Sequence, residues 1–416
     1  MTTEALPTPR ATSLPPSSVH AVFRSVNAWE RRTGRKAARL DVGEPHFPPP
    51  GAAVEALAKA ARDGHTGYTS AEGMSTLREA LAAKLVENNA HDTGADRVYI
   101  CAGAAQGLTA LIQSLADPGD EILLPAFHWP IHLQQSLLTG LRPVSYPLDD
   151  QFRPDLDALR RLGGERTRIL LVNSPSNPTG AVYDRQLLRE LWELAEQRNW
   201  QIISDEAYED FVFEGAHVSL GSLERNVPPA RRRVSTVFSF SKTYGMTGYR
   251  LGYVVTPDVA RGATFQVVQE ASILSSPTPV QHAGLAALES TAEVRSNRES
   301  VRAAREGLRA LDRESLLAAF PSGGWFALLD ISSLATDAET FAAAVLDEHA
   351  IALAPAHGFA LRPTVRTDGS LGPMASDPRA AGHLRLAFCG QPATVHDAAK
   401  KVASFARTWS EREHVR

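Results

Sequence analysis

Lys242 stands in the segment FSFSKTYGMTGYRLGY, just past the apolar run STVFSF at 235 to 240. Ser239, Ser241 and Arg250 bring groups suited to holding a phosphate close to its amine. Phe238, Phe240 and Tyr244 give it apolar company, which depresses an amine's pKa and leaves it nucleophilic. Most lysines in loops are simply solvated, and it is this aromatic setting that argues otherwise here. Asp205 closes the run QIISD, so its carboxylate needs a cationic partner. A protonated pyridine nitrogen would serve and would act as an electron sink for a carbanion at a substrate Cα. Locally, a helix N-cap in SDEAYED explains Asp205 equally well. Tyr208, three residues on, can face the same site. Gly103 ends VYICAG, and a helical pattern starts at Ala104. The first backbone N–H groups of a helix lack intrahelical partners and favour an anion, and the small side chains of Ala104 and Ala105 leave the approach open. An ordinary strand-to-helix turn remains the alternative.

The elements that must position these residues are short apolar runs alternating with helical patterns. The runs are VYICAG at 98 to 103, EILLP at 121 to 125, RILLVN at 168 to 173, QIISD at 201 to 205 and STVFSF at 235 to 240. Between them lie helical stretches at Ala104 to Leu115 and Asp184 to Arg198, the latter with Leu187, Leu188, Leu191 and Leu194 along one side. Strands separated by helices predict an α/β fold with a mainly parallel sheet covered on both faces. Ligands of such sheets bind beyond the carboxyl ends of the strands, where Gly103, Asn173, Asp205 and Lys242 all fall.

After about Thr291 the chain changes to ESVRAAREGLRALDRES, then GGWFALLDI, a helix at Asp337 to His349, and HLRLAFC. This reads as a smaller α+β domain. The expected division is a flexible start at 1–18, a large ligand-binding domain at 47–290, and a small domain from 19–46 with 291–416.

The chain of 416 residues is 43% apolar and 22% charged, enough for a large core. Its 43 Lys and Arg nearly balance 47 Asp and Glu, so nothing marks it for nucleic acid or an anionic membrane. No stretch reaches transmembrane length, and the Pro-, Ser- and Thr-rich start lacks a secretory h-region, so a cytoplasmic location is expected. Cys101 and Cys389 fall in apolar runs and read as buried small hydrophobes, with no metal site indicated.

Taken together, these segments resemble the class I and II aminotransferase family of fold-type I pyridoxal-phosphate enzymes, over about Asp41 to Phe388. DVGEP at 41 to 45 is similar to the family's N-terminal loop and YTSAEGMSTLREAL to its entry segment. NSPSNPTG, SDEAY, SFSKTYGMTGYRLG and HLRLAF are similar to its Asn-Pro-Thr-Gly, aspartate, lysine and C-terminal arginine motifs. The resemblance implies an aspartate-aminotransferase-like fold with a seven-stranded-type sheet and a ping-pong transfer of an amino group from an amino acid to a 2-keto acid. Lys242 would carry pyridoxal 5'-phosphate and act as general base. Asp205 would pair with the pyridine nitrogen, Asn177 and Tyr208 with the phenolic oxygen, and Trp129 would stack on the ring. The phosphate would fall to Ala104 and Ala105 N–H groups, Ser239, Arg250 and Ser241, and to Tyr68 of a second subunit, which implies a homodimer with shared active sites. Arg385 would grip the substrate α-carboxylate, with Gly43, Asn177, Trp129 and His46 also at the substrate.

Ala104 and Ala105 depart from the family pattern, in which Gly, Ser or Thr is common, so no hydroxyl reaches the phosphate there. His46, His128, His132 and His357 fall in loops that in the family border the substrate, and their grouping hints at a polar substrate side chain. The segment ASILSSPTPVQ carries no cation for a distal carboxylate, and Gln106 stands where another branch can place lysine. Aspartate is therefore not the expected donor; a polar or aromatic amino acid is. Elimination or cyclisation chemistry, which keeps the same lysine, aspartate and arginine, remains open, and a non-catalytic regulator is a remote alternative, since only about forty residues precede the resemblance, without a basic recognition helix.

Overall fold

The structure, a computed structural model, describes residues 14–367 and 370–414. The expected mobile start falls mostly at 1–13, outside the described residues. Of the rest, the Pro15 carbonyl accepts a hydrogen bond from Gln134, and Ser17 caps the first helix.

Seven strands form the central sheet: β1 Val98–Cys101, β2 Glu121–Pro125, β3 Arg142–Tyr146, β4 Thr167–Asn173, β5 Gln201–Asp205, β6 Val234–Ser239 and β7 Gly252–Val255. Their spatial order is β1-β7-β6-β5-β4-β2-β3. All neighbours are parallel except β7, which runs antiparallel to both β1 and β6. The expected α/β architecture with a mainly parallel sheet is the one observed. The strands not anticipated are β3, whose RPVSY mixes proline and polar residues at a sheet edge, and β7, whose first two residues, Gly252 and Tyr253, are the end of the lysine segment itself.

The helices that matter to the site are α1 Ser18–Thr33, α2 Ala104–Leu115, α3 Pro130–Leu138, α4 Arg185–Arg198, α5 Phe240–Thr243, α6 Thr291–Gly307, α7 Ala338–His349 and α8 Pro392–His414. Side-chain alternation divides the sheet's two faces. Leu123, Leu170, Val172 and Ile202 pack with Leu188, Leu191 and Leu194 of α4. Ile122, Leu124, Ile169, Leu171 and Ile203 pack with Leu108, Leu111 and Ile112 of α2. Burial on both faces is why these strands read as continuous apolar runs. Asp184 and Asp337, expected as first helical residues, are the N-caps of α4 and α7, accepting from Leu187 N and Thr340 N.

The C-terminal part builds its own antiparallel sheet from β8 Phe326–Asp330, β9 Ala354–Pro355 and β10 His383–Ala387, in the order β9-β10-β8. Its core gathers Val301 and Ala304 of α6, Phe341 and Val345 of α7, Val395 and Val402 of α8, and Leu40 from the N-terminal segment. Ala38–Arg39 joins it by parallel pairing with Ile351–Ala352. An unanticipated hairpin, Leu361–Val365 with Leu371–Ser376, packs Leu361, Leu371 and Met374 near Trp129. Among the described residues no helix is long and apolar enough to cross a membrane.

Candidate active site

The carboxyl ends of β4, β5 and β6 open into one cavity of about 270 Å³, into which Asn173, Asp205 and Ser239 are delivered directly. Backbone direction accounts for this convergence: parallel strands end on one side, and their loops and helix N-termini must meet there. The cavity is also lined by Ala104 and Ala105 of α2, Trp129 at the start of α3, Asn177, Tyr208, Ser241, Lys242, Arg250, Gly43 and Arg385. Twelve of the fourteen residues that the family resemblance assigns to cofactor or substrate therefore share one space, counting Asp205 and Ser239 with the ten just named.

Lys242 projects from the single-turn helix α5, whose start is fixed by Ser239 Oγ accepting from Ser241 N at 3.2 Å. Its amine donates to Gly43 O at 3.0 Å and lies 4.9 Å from the Trp325 ring centroid and 5.6 Å from that of Tyr208. Burial among these rings pulls its pKa down, which favours the neutral, nucleophilic amine. Burial pushes the Tyr208 phenol up, so it stays a protonated donor at neutral pH.

Asp205 ends β5 and is 5% exposed. Its Oδ2 lies 2.9 Å from His132 Nε2, and its Oδ1 accepts from Ala207 N at 3.2 Å. No helix follows Asp205 directly among the described residues, so the helix N-cap read as the alternative does not form; the contact to Ala207 N closes a turn, alongside a buried histidine and an opening to the cavity. Asn173 binds the Asp205 carbonyl through Nδ2 at 3.0 Å and takes the Asn177 N–H at 2.9 Å. This ties the NSPSNPTG loop to the aspartate strand.

The start of α2, at Ala104 and Ala105, and Arg250 line the same cavity, with Gly103 beside the guanidinium. Gly103 has φ +83°, and a Cβ on it would lie 2.6 Å from Arg250 Nη2. Only glycine leaves this cradle open. Arg250, at φ 57°, is braced by its Nη1 donating to Thr247 O at 2.7 Å.

Arg385, on β10, is 2% exposed and held between Phe326 and Phe359, its Cζ 4.2 and 4.3 Å from their centroids. It donates to Asp41 O at 2.6 Å and Asn177 Oδ1 at 3.2 Å, while its Nε has no partner among the described residues. Burial pulls its pKa down to about 10, so it remains cationic at neutral pH. No carboxylate bridges to it among the described residues, which leaves a desolvated cation waiting for an anion.

Two expected residues do not reach this cavity. His46 is turned away: its Nδ1 lies 2.8 Å from Cys389 O and its Nε2 2.9 Å from Ser300 Oγ, so both ring nitrogens are spent on scaffold. Tyr68 is 85% exposed and does not line this chain's cavity. The histidine grouping also dissolves. His128 is buried against the Trp129 and Leu361 carbonyls, His357 pairs with Glu339 at the surface, and His132 stands behind Asp205. The polar substrate side chain inferred from them loses that support. Gln106 does not line the cavity; its Oε1 accepts from Ala102 N, and Ala105 is the residue facing inward. Val19, Val42, Glu44, Thr247 and Phe326 line the cavity without having been singled out. Of these, Val42 and Glu44 fell inside the motif segment DVGEP and Thr247 inside the lysine segment.

A mainly parallel seven-stranded sheet with a lysine amine, a carboxylate and a buried arginine around one cavity defines an enzyme of aspartate-aminotransferase-like fold. The family profile described as aminotransferase class I and II matches residues 35–402. The chain is 34% identical over 405 residues to the aspartate/prephenate aminotransferase of Thermus thermophilus, covering 95% of this chain and 97% of that protein. It is 31% identical over 375 residues to the arginine–pyruvate transaminase of Pseudomonas aeruginosa, covering 89% and 90%. Among solved structures, the Thermus thermophilus aspartate aminotransferase with maleate superposes with a TM-score of 0.85 at 31% identity, covering 96% of this chain and 99% of that one. The chain belongs to the class I and II aminotransferase family. It is an aminotransferase, and enzymes of this class act on amino acids and 2-keto acids with pyridoxal 5'-phosphate.

Proposed function

We propose that this chain binds pyridoxal 5'-phosphate on Lys242 and moves amino groups from a donor without a second carboxylate to a 2-keto acid. The observation that carries the proposal is the buried, carboxylate-free Arg385 opening onto the same cavity as the Lys242 amine.

The donor set fits the cofactor. The Gly103 cradle, the N–H groups of Ala104 and Ala105, Ser239, Ser241 and Arg250 suit its phosphate. Asp205, oriented by His132, suits a protonated ring nitrogen; Asn177 and Tyr208 suit the phenolic oxygen, and Trp129 the ring face. Once bound, the cofactor supplies an aldehyde that accepts an amino group and a ring that takes up electron density from the substrate Cα.

The chain's residues supply the rest. Arg385, with Gly43 and Asn177 beside it, fixes the α-carboxylate and so aligns the Cα–H bond. Lys242 would hold the cofactor and, with its amine freed, would serve as the base that takes and returns the proton at the substrate Cα. Asp205 would hold the ring nitrogen in its cationic form.

Among the described residues, the cations lining the cavity are Lys242, Arg250 and Arg385. Each is assigned above, which leaves none of them for a distal carboxylate. Val19, Val42, Trp129 and Phe326 favour an uncharged, aromatic side chain. One relative is named for aspartate and prephenate and another for arginine, so aspartate is the comparison that matters. A homodimer in the cytoplasm, serving amino-acid biosynthesis, is the accompanying reading. In it Tyr68 of the partner subunit completes the phosphate site, which accords with its exposure here. The division into units at 47–290 and at 19–46 with 291–416 is supported by the separate core around Val301, Phe341 and Leu386, although that core also draws in Phe47, Tyr208, Phe211 and Phe213.

The test is a panel of amino acids added to the holoenzyme. Conversion of the aldehyde form to the amine form, followed by its return with a 2-keto acid, is expected. Release of ammonia and keto acid with the aldehyde form retained would overturn transamination.

A further inference from the structure

The turn that follows β5 divides its side chains between two sides. Asp205 and Tyr208 face the cavity, while Glu206, Glu209 and Asp210 are tied into the scaffold. Glu206 accepts from Ser204 Oγ at 2.8 Å and Leu220 N at 3.0 Å and pairs with His217 at 2.9 Å. Glu209 pairs with Lys84 at 2.6 Å and accepts from Asn89 at 2.5 Å. Asp210 Oδ2 accepts from Thr243 Oγ1 at 2.6 Å. Thr243 is 4% exposed and adjoins Lys242 in the single-turn helix α5.

We propose that Asp210 and Thr243 are positioning residues, whose hydrogen bond sets the Lys242 amine relative to Asp205 and Tyr208. The inference rests on the reading of Lys242 as the cofactor lysine. Three features carry it. A four-residue helix has almost no internal hydrogen bonding to resist rotation. The contact joins it directly to the turn that carries Asp205 and Tyr208. It is charge-assisted and its hydroxyl is shielded from water, the setting in which one such bond is strongest. Neither residue lines the cavity, so they touch neither substrate nor cofactor and act through Lys242.

The test compares wild-type holoenzyme with T243V, T243S and D210N. Three readouts are taken: kcat and KM of the half-reaction, the pH titration of the absorbance of the lysine-bound cofactor, and the melting temperature. T243V, which keeps the shape and removes the hydroxyl, is expected to lower kcat roughly tenfold with little change in KM and to shift the titration midpoint. T243S restores both, and D210N, which keeps an acceptor without the charge, falls between. T243V matching wild type in kcat and titration overturns the proposal, as does a change confined to the melting temperature or a failure of T243S to rescue. If the wild-type protein itself shows no lysine-bound chromophore, the reading of Lys242 fails instead, which keeps the two failures distinct.

Discussion

His132 and Asp205 form a buried pair, Nε2 to Oδ2 at 2.9 Å, in which the histidine is 0% exposed and its Nδ1 has no partner among the described residues. The ring also meets Trp129 edge-on, with centroids 5.3 Å apart at 90°. One histidine therefore braces both the carboxylate assigned to the ring nitrogen and the indole assigned to the ring face. H132F removes the donor and keeps a ring. It is expected to lower kcat about tenfold, the worth of one hydrogen bond to a charged group. D205A is expected to lose about 10²- to 10³-fold, because the electrostatic partner itself is gone. Single-turnover kinetics of the two variants check the ranking, and H132F as active as wild type would remove His132 from the account.

Arg385 is held by two aromatic faces and two oxygen acceptors, and lysine cannot reproduce that planar contact. R385K is expected to raise the donor KM about 10- to 100-fold while the cofactor stays bound. Initial-rate kinetics with absorbance of the bound cofactor separate the two effects. Unchanged KM would move the α-carboxylate elsewhere.

At Gly103 a Cβ would displace the Arg250 guanidinium and force an L-residue to φ +83°, a conformation costing about 1–3 kcal/mol. G103A is expected to weaken cofactor affinity at least about tenfold in titrations of the apo-protein. Wild-type affinity would show that the cradle is not the phosphate site.

Burial pulls the His217 pKa down, but its hydrogen bond to Glu206 and that group's charge outweigh this and raise it above 6.5. Burial raises Glu206, and His217 in turn brings it below 4.5. A raised histidine stabilises the fold fully below 6.5 and loses that contribution as pH climbs through its folded pKa. A lowered carboxylate stabilises above 4.5 and loses its contribution as pH falls through its folded pKa. The melting-temperature gap between wild type and H217Q is therefore expected to be widest between 4.5 and 6.5 and to narrow on the alkaline side. A gap that is flat with pH would show the pair to be neutral.

Asp205, Lys242 and Asn173 were legible in the sequence because each closes or follows an apolar strand long enough to recognise, and strand direction brings them together, whereas Asn177 came only with the family resemblance. The histidines were not. Imidazole satisfies scaffold carbonyls and hydroxyls as readily as it binds substrate, and nothing in the spacing of His46 announces Cys389 and Ser300 as its partners. Val19 reaches the cavity from α1 through packing across more than two hundred residues of chain, a relationship no local pattern encodes. Gln106 and Ala105 differ by one helical position, and which of them faces inward depends on where α2 begins, the feature sequence patterns fix least well. Strand β3 was hidden by its edge position, where polar residues and proline are tolerated.

The most direct measurement is borohydride reduction of the protein incubated with pyridoxal 5'-phosphate, followed by peptide mapping by mass spectrometry. One cofactor adduct is expected, on the peptide carrying Lys242, and it is expected to disappear in K242A. An adduct on another lysine, or one that persists in K242A, would contradict the assignment of Lys242.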